Sequence, residues 1–319
     1  MKFIIPVDYV GVRLDIAISE MSGSISRTTI QRLMANGDVF IDGVPVHNPA
    51  KKVNSACDVT VVAYVPPEPE YEIVAEDIPL DIVYEDEDLI VINKEAGMVC
   101  HPAPGHRSGT LVNALKFHFN GQLSKINNNR PGIVHRLDKG TSGLMLAAKH
   151  NRSHEALAAM FANDKEKLIK RQYICFVFGV HREKSGRIET LIARHPRLRQ
   201  QYTADCTTGR KAVTLFTVEK TRYFTPTKAF SKLVFELLTG RTHQIRVHMQ
   251  HCGLPVIGDE TYGRVKVEPI FPELLRAFQR QALHSSSLSF LHPLSGQKLS
   301  FVSALPPDMQ LLDELLYAC

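Results

Sequence analysis

The chain has 319 residues, 44% of them hydrophobic and 22% charged, which suits two globular domains and excludes a wholly disordered or fibrous protein. No apolar run reaches the roughly 20 residues that a membrane-crossing helix needs, the opening MKFIIPVDYVGVRLD turns acidic too soon for a secretory signal, and the six cysteines form no CxxC pair. A cytoplasmic protein without a membrane anchor or a disulfide framework is therefore expected. The net charge of +5 is unevenly spread: residues 66–95 hold eleven acids and one lysine, whereas residues 96–319 hold 31 Lys and Arg against 16 Asp and Glu. A basic surplus of that size suits a polyanionic partner.

In chain order, residues 1–65 read as a small domain. Leu14, Ala17 and Ile18 make a short helical stripe. Ser26 caps a second helix with Ile30, Leu33 and Met34 on one face and Gly37 as its stop. Val39, Phe40 and Ile41 lead into the turn Asp42-Gly43, a hairpin signal, and residues 59–62 supply the return strand. The run YVPPEPEYE at 64–72 is stiffened by proline and solvated by its acids, and residues 66–72 are taken as a linker. Residues 73–319 then read as a larger domain whose first core strand is 88–93. Short apolar runs at 133–134, 143–148, 173–180, 213–218 and 233–238 alternate with helical stretches. The pattern predicts an α+β fold around a mixed, largely antiparallel sheet.

Two clusters in the larger domain carry chemistry. In GIVHRLDKGTSGLMLAAK (132–149), His135, Arg136, Asp138, Lys139, Thr141 and Ser142 crowd a turn between two apolar runs. Turns of that kind often hold catalytic groups. A neighbouring cation would keep Asp138 ionised, as a nucleophile requires. The same pattern also fits an aspartate that merely caps the turn and pairs with Arg136. In TGRTHQIRVHMQH (239–251), Thr242 can cap a helix that carries His243, Ile245 and Arg246 on neighbouring positions. Arg246 offers a planar fork to a carboxylate or phosphate. His248, His251 and Cys252 lie close together, but zinc would need a second ligand pair that the sequence does not supply. Nor is there a GxxxxGK[ST] phosphate loop.

The first fifty-odd residues, with RLD, SRTTIQRLMANGDVFIDG and VNSACDVTVV in that order, resemble the S4 RNA-binding domain. HRLDKGTSGL and GRTHQIRVH together resemble the signature motifs of the RNA pseudouridine synthase family that includes the ribosomal and transfer-RNA synthase A. The resemblance runs on through DIPLDIVYEDEDLIVINKEAG, RQYICFVFG and RQALHSSSLSFLHPLSG. It implies an isomerase that converts uridine to pseudouridine in RNA without a metal or other cofactor, with Asp138 as the catalytic carboxylate. It further implies that Arg246 pairs with Asp138 and that Tyr173 stacks on the uracil. Arg136 fills the space left by a flipped uridine, Ile245 packs beside the base, and His135, Thr242 and His243 stand with them as candidate substrate contacts. Arg27 and Arg32 are candidate RNA contacts on the S4-like domain. Arg171 stands where the family often has lysine, which keeps the charge. Within the family the likeness is to synthases of large-subunit ribosomal RNA, so that RNA or the assembling large subunit is the expected partner of a monomer. A carboxylate pair of the glycosidase kind is not offered by the two motifs.

Overall fold

Two apolar stripes and a hairpin turn in the first sixty residues are short, local instructions, and the computed structural model shows how they close on one another. It describes residues 1–23, 25–62, 72–103, 105–163, 168–198, 200–263 and 269–318. The chain divides into two units, Met1–Glu72 and Ile73–Cys319. Of the expected linker, only Glu72 lies within the described residues.

The first unit contains β1 (Lys2–Ile5), α1 (Leu14–Ser22), α2 (Arg27–Asn36), β2 (Val39–Ile41), β3 (Val44–Pro45) and β4 (Cys57–Val61). Leu14, Ala17 and Ile18 of α1 meet Ile30, Leu33 and Met34 of α2 in one buried cluster with Val39, Val59 and Val61. Ser26 caps α2 by accepting the Thr29 amide at 3.3 Å. Asp42 and Gly43 both hold positive φ, 49° and 79°, the geometry of a two-residue turn whose twist matches its flanking strands. The strand returning from this turn is β3, paired with β2, not residues 59–62; those belong with β4, which runs over 57–61 and pairs with β2 on one side and β1 on the other. The strand β1 was not expected: only Ile5 of its four residues is buried, so it shows no alternation to read.

Asp15 sits at the centre of this unit with its side chain fully buried. It takes hydrogen bonds from Arg13 Nε (3.0 Å), Arg27 Nε (2.9 Å) and Gln31 Nε2 (2.6 Å). Burial alone would raise its pKa, but the Arg13, Gln31 and Arg27 hydrogen bonds together hold it well below the usual carboxylate range.

The second unit carries the strands β5 (Ile82–Glu85), β6 (Leu89–Lys94), β7 (Ser142–Ala148), β8 (Ile169–Phe178), β9 (Ser185–Arg194), β10 (Tyr202–Thr203), β11 (Arg210–Thr225), β12 (Lys228–Leu237), β13 (Leu283–Leu291) and β14 (Lys298–Val302). Its helices are α3 (Leu111–His118), α4 (Asn151–Ala162), α5 (Gln244–His251), α6 (Glu273–Arg276) and α7 (Pro307–Tyr317). Among the described residues they form one sheet in the order β10-β9-β11-β12-β8-β13-β7-β6-β5, with β14 hydrogen-bonded to β13. Only β7 and β13 pair in parallel, so the sheet is mixed and largely antiparallel and the fold is α+β. Alternation along β8 divides the interior. Tyr173, Cys175 and Val177 join the core under α3 and α5, whereas Phe176 and Phe178 join the core under α6 and α7.

The first core strand lies where it was expected, at 89–94, with the edge strand β5, none of whose residues is buried, paired to it. Two expectations are corrected here. Residues 133–134 are not a strand; Ile133 makes a single bridge to Ala147, because Pro131 and Gly132 interrupt the run just before it. The run at 213–218 is the middle of a sixteen-residue strand that pairs β9 on one edge and β12 on the other. Part of the acidic run meets basic side chains of its own unit. Glu85 meets His118 (2.7 Å) and Lys149 (3.1 Å), and Asp88 meets His150 (2.6 Å).

At the start of β7, Gly143 has φ 107°, and a Cβ there would run into the backbone of Ser285. Glycine thus lets β7 and β13 approach closely at the point where the chain emerges from the 135–141 turn.

Replacing Asp15 with Ala should cost the first unit about 2 kcal/mol, the worth of charge-assisted hydrogen bonds to one buried carboxylate. Hydrogen exchange of the α1 and α2 amides checks this, with roughly 30-fold faster opening expected in the variant. Because the folded pKa of Asp15 is depressed, its contribution is present in full above the unfolded carboxylate pKa of about 4 and is lost as pH falls toward the folded value. The difference between wild type and variant should therefore shrink in acid and stay constant above about pH 5.

Candidate active site

The 135–141 turn is built from its carbonyls outward. Thr141 donates its amide to the Asp138 carbonyl at 3.0 Å and closes a turn around Lys139 and Gly140. Leu137 is buried and anchors the turn in the core. The neighbouring carbonyls are each held from elsewhere: Leu137 O by Cys100 Sγ (3.1 Å), Lys139 O by the Gly97 amide (2.7 Å) and Gly140 O by Arg280 Nη1 (3.0 Å). Lys94, only 2% exposed, gives its ammonium to the carbonyls of Glu95 (2.6 Å) and Met98 (2.9 Å) below the same turn. Burial pulls its pKa down to about 8, which leaves it charged at neutral pH.

Facing the turn is α5. Its first turn is not capped by Thr242 as the sequence suggested. His243 is the N-cap, at φ 55° and with no side-chain cap bond. The Gln244 side chain instead organises the segment. Its Oε1 accepts from Thr239 Oγ1 (2.8 Å) and the Arg241 amide (2.9 Å), and its Nε2 donates to Val213 O (3.0 Å) and Thr214 Oγ1 (2.9 Å) on β11. That docking aims His243 and Arg246 at Asp138.

Arg246 is buried between two carboxylates. Its Nη1 donates to Asp138 Oδ2 at 2.8 Å. Its Nε and Nη2 fork onto Asp259 at 2.6 and 2.9 Å. Asp259 is itself fully buried, and its Oδ1 also accepts the Thr261 and Tyr262 amides at 3.0 Å each. Gly258 sets Asp259 in place: its φ is 72° and a Cβ there would strike the carbonyls of Arg280 and Phe278. Burial works against the charge on Arg246, but the Asp259 hydrogen bonds and the two carboxylate charges outweigh it and hold the guanidinium protonated. Its plane lies 5.0 Å from the centre of the Tyr262 ring.

His243 reaches the other oxygen of Asp138, with Nε2 3.7 Å from Oδ1. Tyr262 Oη accepts the Tyr202 amide at 2.8 Å and lies 2.8 Å from His243 Nδ1. Burial lowers the His243 pKa from its ordinary value, against the pull of the Asp138 charge. Burial also pushes the Tyr262 hydroxyl up to about 12.

These groups line a cavity of about 720 Å³, within the range that holds a small ligand or a single nucleotide. Arg136, Lys139, Arg246 and Arg280 face it together with His243 and the carboxylates of Asp138 and Glu260, so its lining carries more cations than acids. Arg136 is exposed and forms no pair with Asp138. The remaining candidates sit elsewhere. Tyr173 and Ile245 lie in the core, 4% and 3% exposed, and are not among the residues that line the cavity. Burial raises the Tyr173 pKa, and the Asp138 charge adds to the rise. His135 belongs to the fold: its Nε2 accepts the Leu146 amide at 2.9 Å and its ring stacks on Phe161 at 4.6 Å. Burial drops its pKa to about 3. Thr242 is half-buried and does not face the cavity. In the first unit Arg27 and Arg32 are exposed, with Arg27 tied to Asp15.

Sequence reasoning missed Asp259, the second carboxylate on Arg246. Its only signal is an acid placed directly after the apolar run Val256-Ile257-Gly258, too common a pattern to single it out. The histidines near α5 offer no metal cradle. His248 has both ring nitrogens taken, by Thr190 Oγ1 (3.0 Å) and Thr214 Oγ1 (2.9 Å). Asp86, Asp88 and His292 lie close enough to share an ion. However, His292 Nδ1 accepts the Leu294 (3.3 Å) and Ser295 (3.0 Å) amides, which puts its proton on Nε2, facing both acids. This is a hydrogen-bonded clamp, and a metal would have to displace that proton.

Comparison with known proteins gives the geometry a context. Residues 12–59 match the S4 domain, and residues 88–251 match the RNA pseudouridylate synthase family. The chain is 43% identical over 312 residues to the ribosomal large subunit pseudouridine synthase D of Zymomonas mobilis, covering 97% of this chain and 95% of that protein. It is 41% identical over 307 residues to an uncharacterized RNA pseudouridine synthase of Bacillus subtilis, covering 95% of this chain and 94% of the relative. The solved structure of human RNA pseudouridylate synthase domain containing 1 shares the fold, with a TM-score of 0.55 at 23% identity over 80% of this chain and 98% of the human one. At these identities over nearly the whole of both chains, and with the family match over residues 88–251, the chain belongs to the RNA pseudouridylate synthase family, isomerases that turn uridine in RNA into pseudouridine.

Proposed function

We propose that this enzyme isomerises uridines of large-subunit ribosomal RNA in the cytoplasm, with Asp138 as the catalytic carboxylate. The observation that carries the reading is the 2.8 Å contact between Asp138 and the buried Arg246, at the edge of a cationic cavity of nucleotide size. The similarity to the Zymomonas mobilis synthase D over nearly the whole chain supports the choice of RNA.

The reaction breaks the N1–C1′ glycosidic bond, turns the uracil, joins C5 to C1′, and moves the C5 proton off while N1 takes one up. No atoms are gained or lost overall. A carboxylate can begin it by attacking C1′, by adding to the uracil ring, or by removing the C2′ proton on the way to a glycal. Each route needs an ionised carboxylate aimed into the cavity, and Arg246 supplies both charge and direction. Only one Asp138 oxygen is committed to Arg246. The other, Oδ1, lies 3.7 Å from His243 Nε2, beyond hydrogen-bond distance, and stays available to the substrate.

A uridine in a stacked strand must leave its neighbours to enter, at a cost of a few kcal/mol. Arg136, exposed at the cavity wall, is placed to fill the vacated space. Tyr173 keeps its hydroxyl protonated through burial; in this reading its ring takes the uracil face and its hydroxyl serves the proton transfer at C5. The S4 domain and the basic surplus of the second unit share the RNA phosphates.

The test is tritium release from large-subunit ribosomal RNA labelled at uracil C5. Wild type should release tritium and Asp138→Asn should release none; equal release from both would exclude the carboxylate role. Binding of the same RNA should weaken at least about tenfold between 50 and 200 mM salt, since phosphate neutralisation releases counterions. A flat salt response would mean that the basic surplus does not bind the backbone.

A further inference from the structure

Arg280 lies in the segment leading into β13 and meets the 135–141 turn at the Gly140 carbonyl. Its guanidinium has five N–H groups, and four have protein partners. Nε and Nη2 fork onto Asp308 at 2.6 and 2.8 Å, and Nη1 donates to Gly140 O (3.0 Å) and Gln281 O (3.2 Å). The adjacent Gln281 donates to Thr141 Oγ1 at 3.2 Å, and the Cβ that Gly140 lacks would collide with its amide. Asp308 is in the first turn of α7 and also accepts the Met309 amide at 2.9 Å. A rigid planar fork therefore joins the C-terminal helix to the carbonyl two residues after Asp138.

Resting on the reading of Asp138 as the catalytic carboxylate, we propose that Arg280 is a positioning residue, and that the Asp308–Arg280 pair sets the Asp138 turn against Arg246. Arg280 faces the cavity and on position alone looks like another phosphate contact. Its hydrogen-bond inventory argues otherwise. One donor remains, and the side chain is only 15% exposed. A phosphate would have to compete with a bidentate carboxylate. The requirement is geometric: Asp138 is fixed by Arg246 at one oxygen, and its backbone must be fixed independently if Oδ1 is to keep its direction. Arg280, Gly97 and Cys100 each hold one carbonyl of the turn; Cys100 is tied through its own carbonyl to the Val112 amide of α3, and Arg280 carries the constraint through a side-chain fork to Asp308 of α7.

The experiment compares wild type, Arg280→Ala, Arg280→Lys, Asp308→Asn and Asp138→Asn by two readouts. The first is hydrogen exchange of the full-length protein without RNA. In Arg280→Ala the amides of 139–141 should open at least about tenfold faster, while those of β12 stay unchanged. Unchanged exchange in the turn overturns the proposal whatever the enzyme acts on, and so does a uniform rise across the sheet, which would make Arg280 a general stability residue. The second is single-turnover tritium release from C5-labelled large-subunit ribosomal RNA at saturating enzyme. Arg280→Ala should be about 10- to 100-fold slower, the scale of a misplacement near 1 Å, with the RNA dissociation constant within twofold. Arg280→Lys and Asp308→Asn should fall between it and wild type. Weaker binding with an unchanged rate at saturation would identify a phosphate contact and overturn the proposal. Activity retained in Asp138→Asn would instead remove the reading on which it rests.

Discussion

A guanidinium taken out of water needs its charge answered on the spot, and the architecture around Arg246 follows from that need. A buried cation without partners costs several kcal/mol. Arg246 is 7% exposed at its side chain and meets two carboxylates that divide the work unequally. Asp259, fully buried, takes the bidentate edge and satisfies itself further with the Thr261 and Tyr262 amides. Asp138, partly open to the cavity, takes a single hydrogen bond. The first carboxylate makes burial of the arginine tolerable. The second is thereby oriented while retaining a free oxygen. Gly258 beneath Asp259, the Gln244 clamp on β11 and the carbonyl holds on the 135–141 turn all serve to keep three charged groups in one plane of contact.

The sheet supplies the stiffness behind this arrangement. Asp138 sits just before β7, at the one parallel contact between β7 and β13, and Arg246 rides on a helix docked against β11 and packed on β8 and β12 through Ile245 and Met249. The two halves of the site thus come from distant parts of the chain but stand on one hydrogen-bonded frame. Sites on such frames hold catalytic geometry more closely than sites on loops alone. Within the acidic stretch that breaks the basic surplus, Glu85 and Asp88 are paired with histidine and lysine of their own unit.

Much of this was legible in the sequence, and the failures have physical causes. The helical stripes, the Ser26 cap and the Asp42-Gly43 turn are local signals, and they formed as read. HRLD by itself allowed an aspartate paired with Arg136; the true partner is 108 residues away, a contact that only the motif resemblance could suggest. Thr242 looked like a helix cap because capping rules favour a hydroxyl before the helix, but the N-cap is His243 without a side-chain cap, and the Gln244 side chain fixes the segment by bonding Thr239, Arg241 and β11 instead. His135 stood beside the aspartate in sequence, yet it folds away to accept a strand amide. Asp259 was invisible because nothing local distinguishes an acid that will be buried with an arginine from one left in water.

The most direct test of this account is Arg246→Lys, which keeps the charge but cannot span two carboxylates with one planar fork. If Arg246 works by fixing Asp138, the variant should bind large-subunit ribosomal RNA within about twofold of wild type yet isomerise it about 100-fold more slowly under single-turnover conditions. A rate equal to wild type would contradict the account, since charge alone would then suffice and the geometry described here would not govern the chemistry.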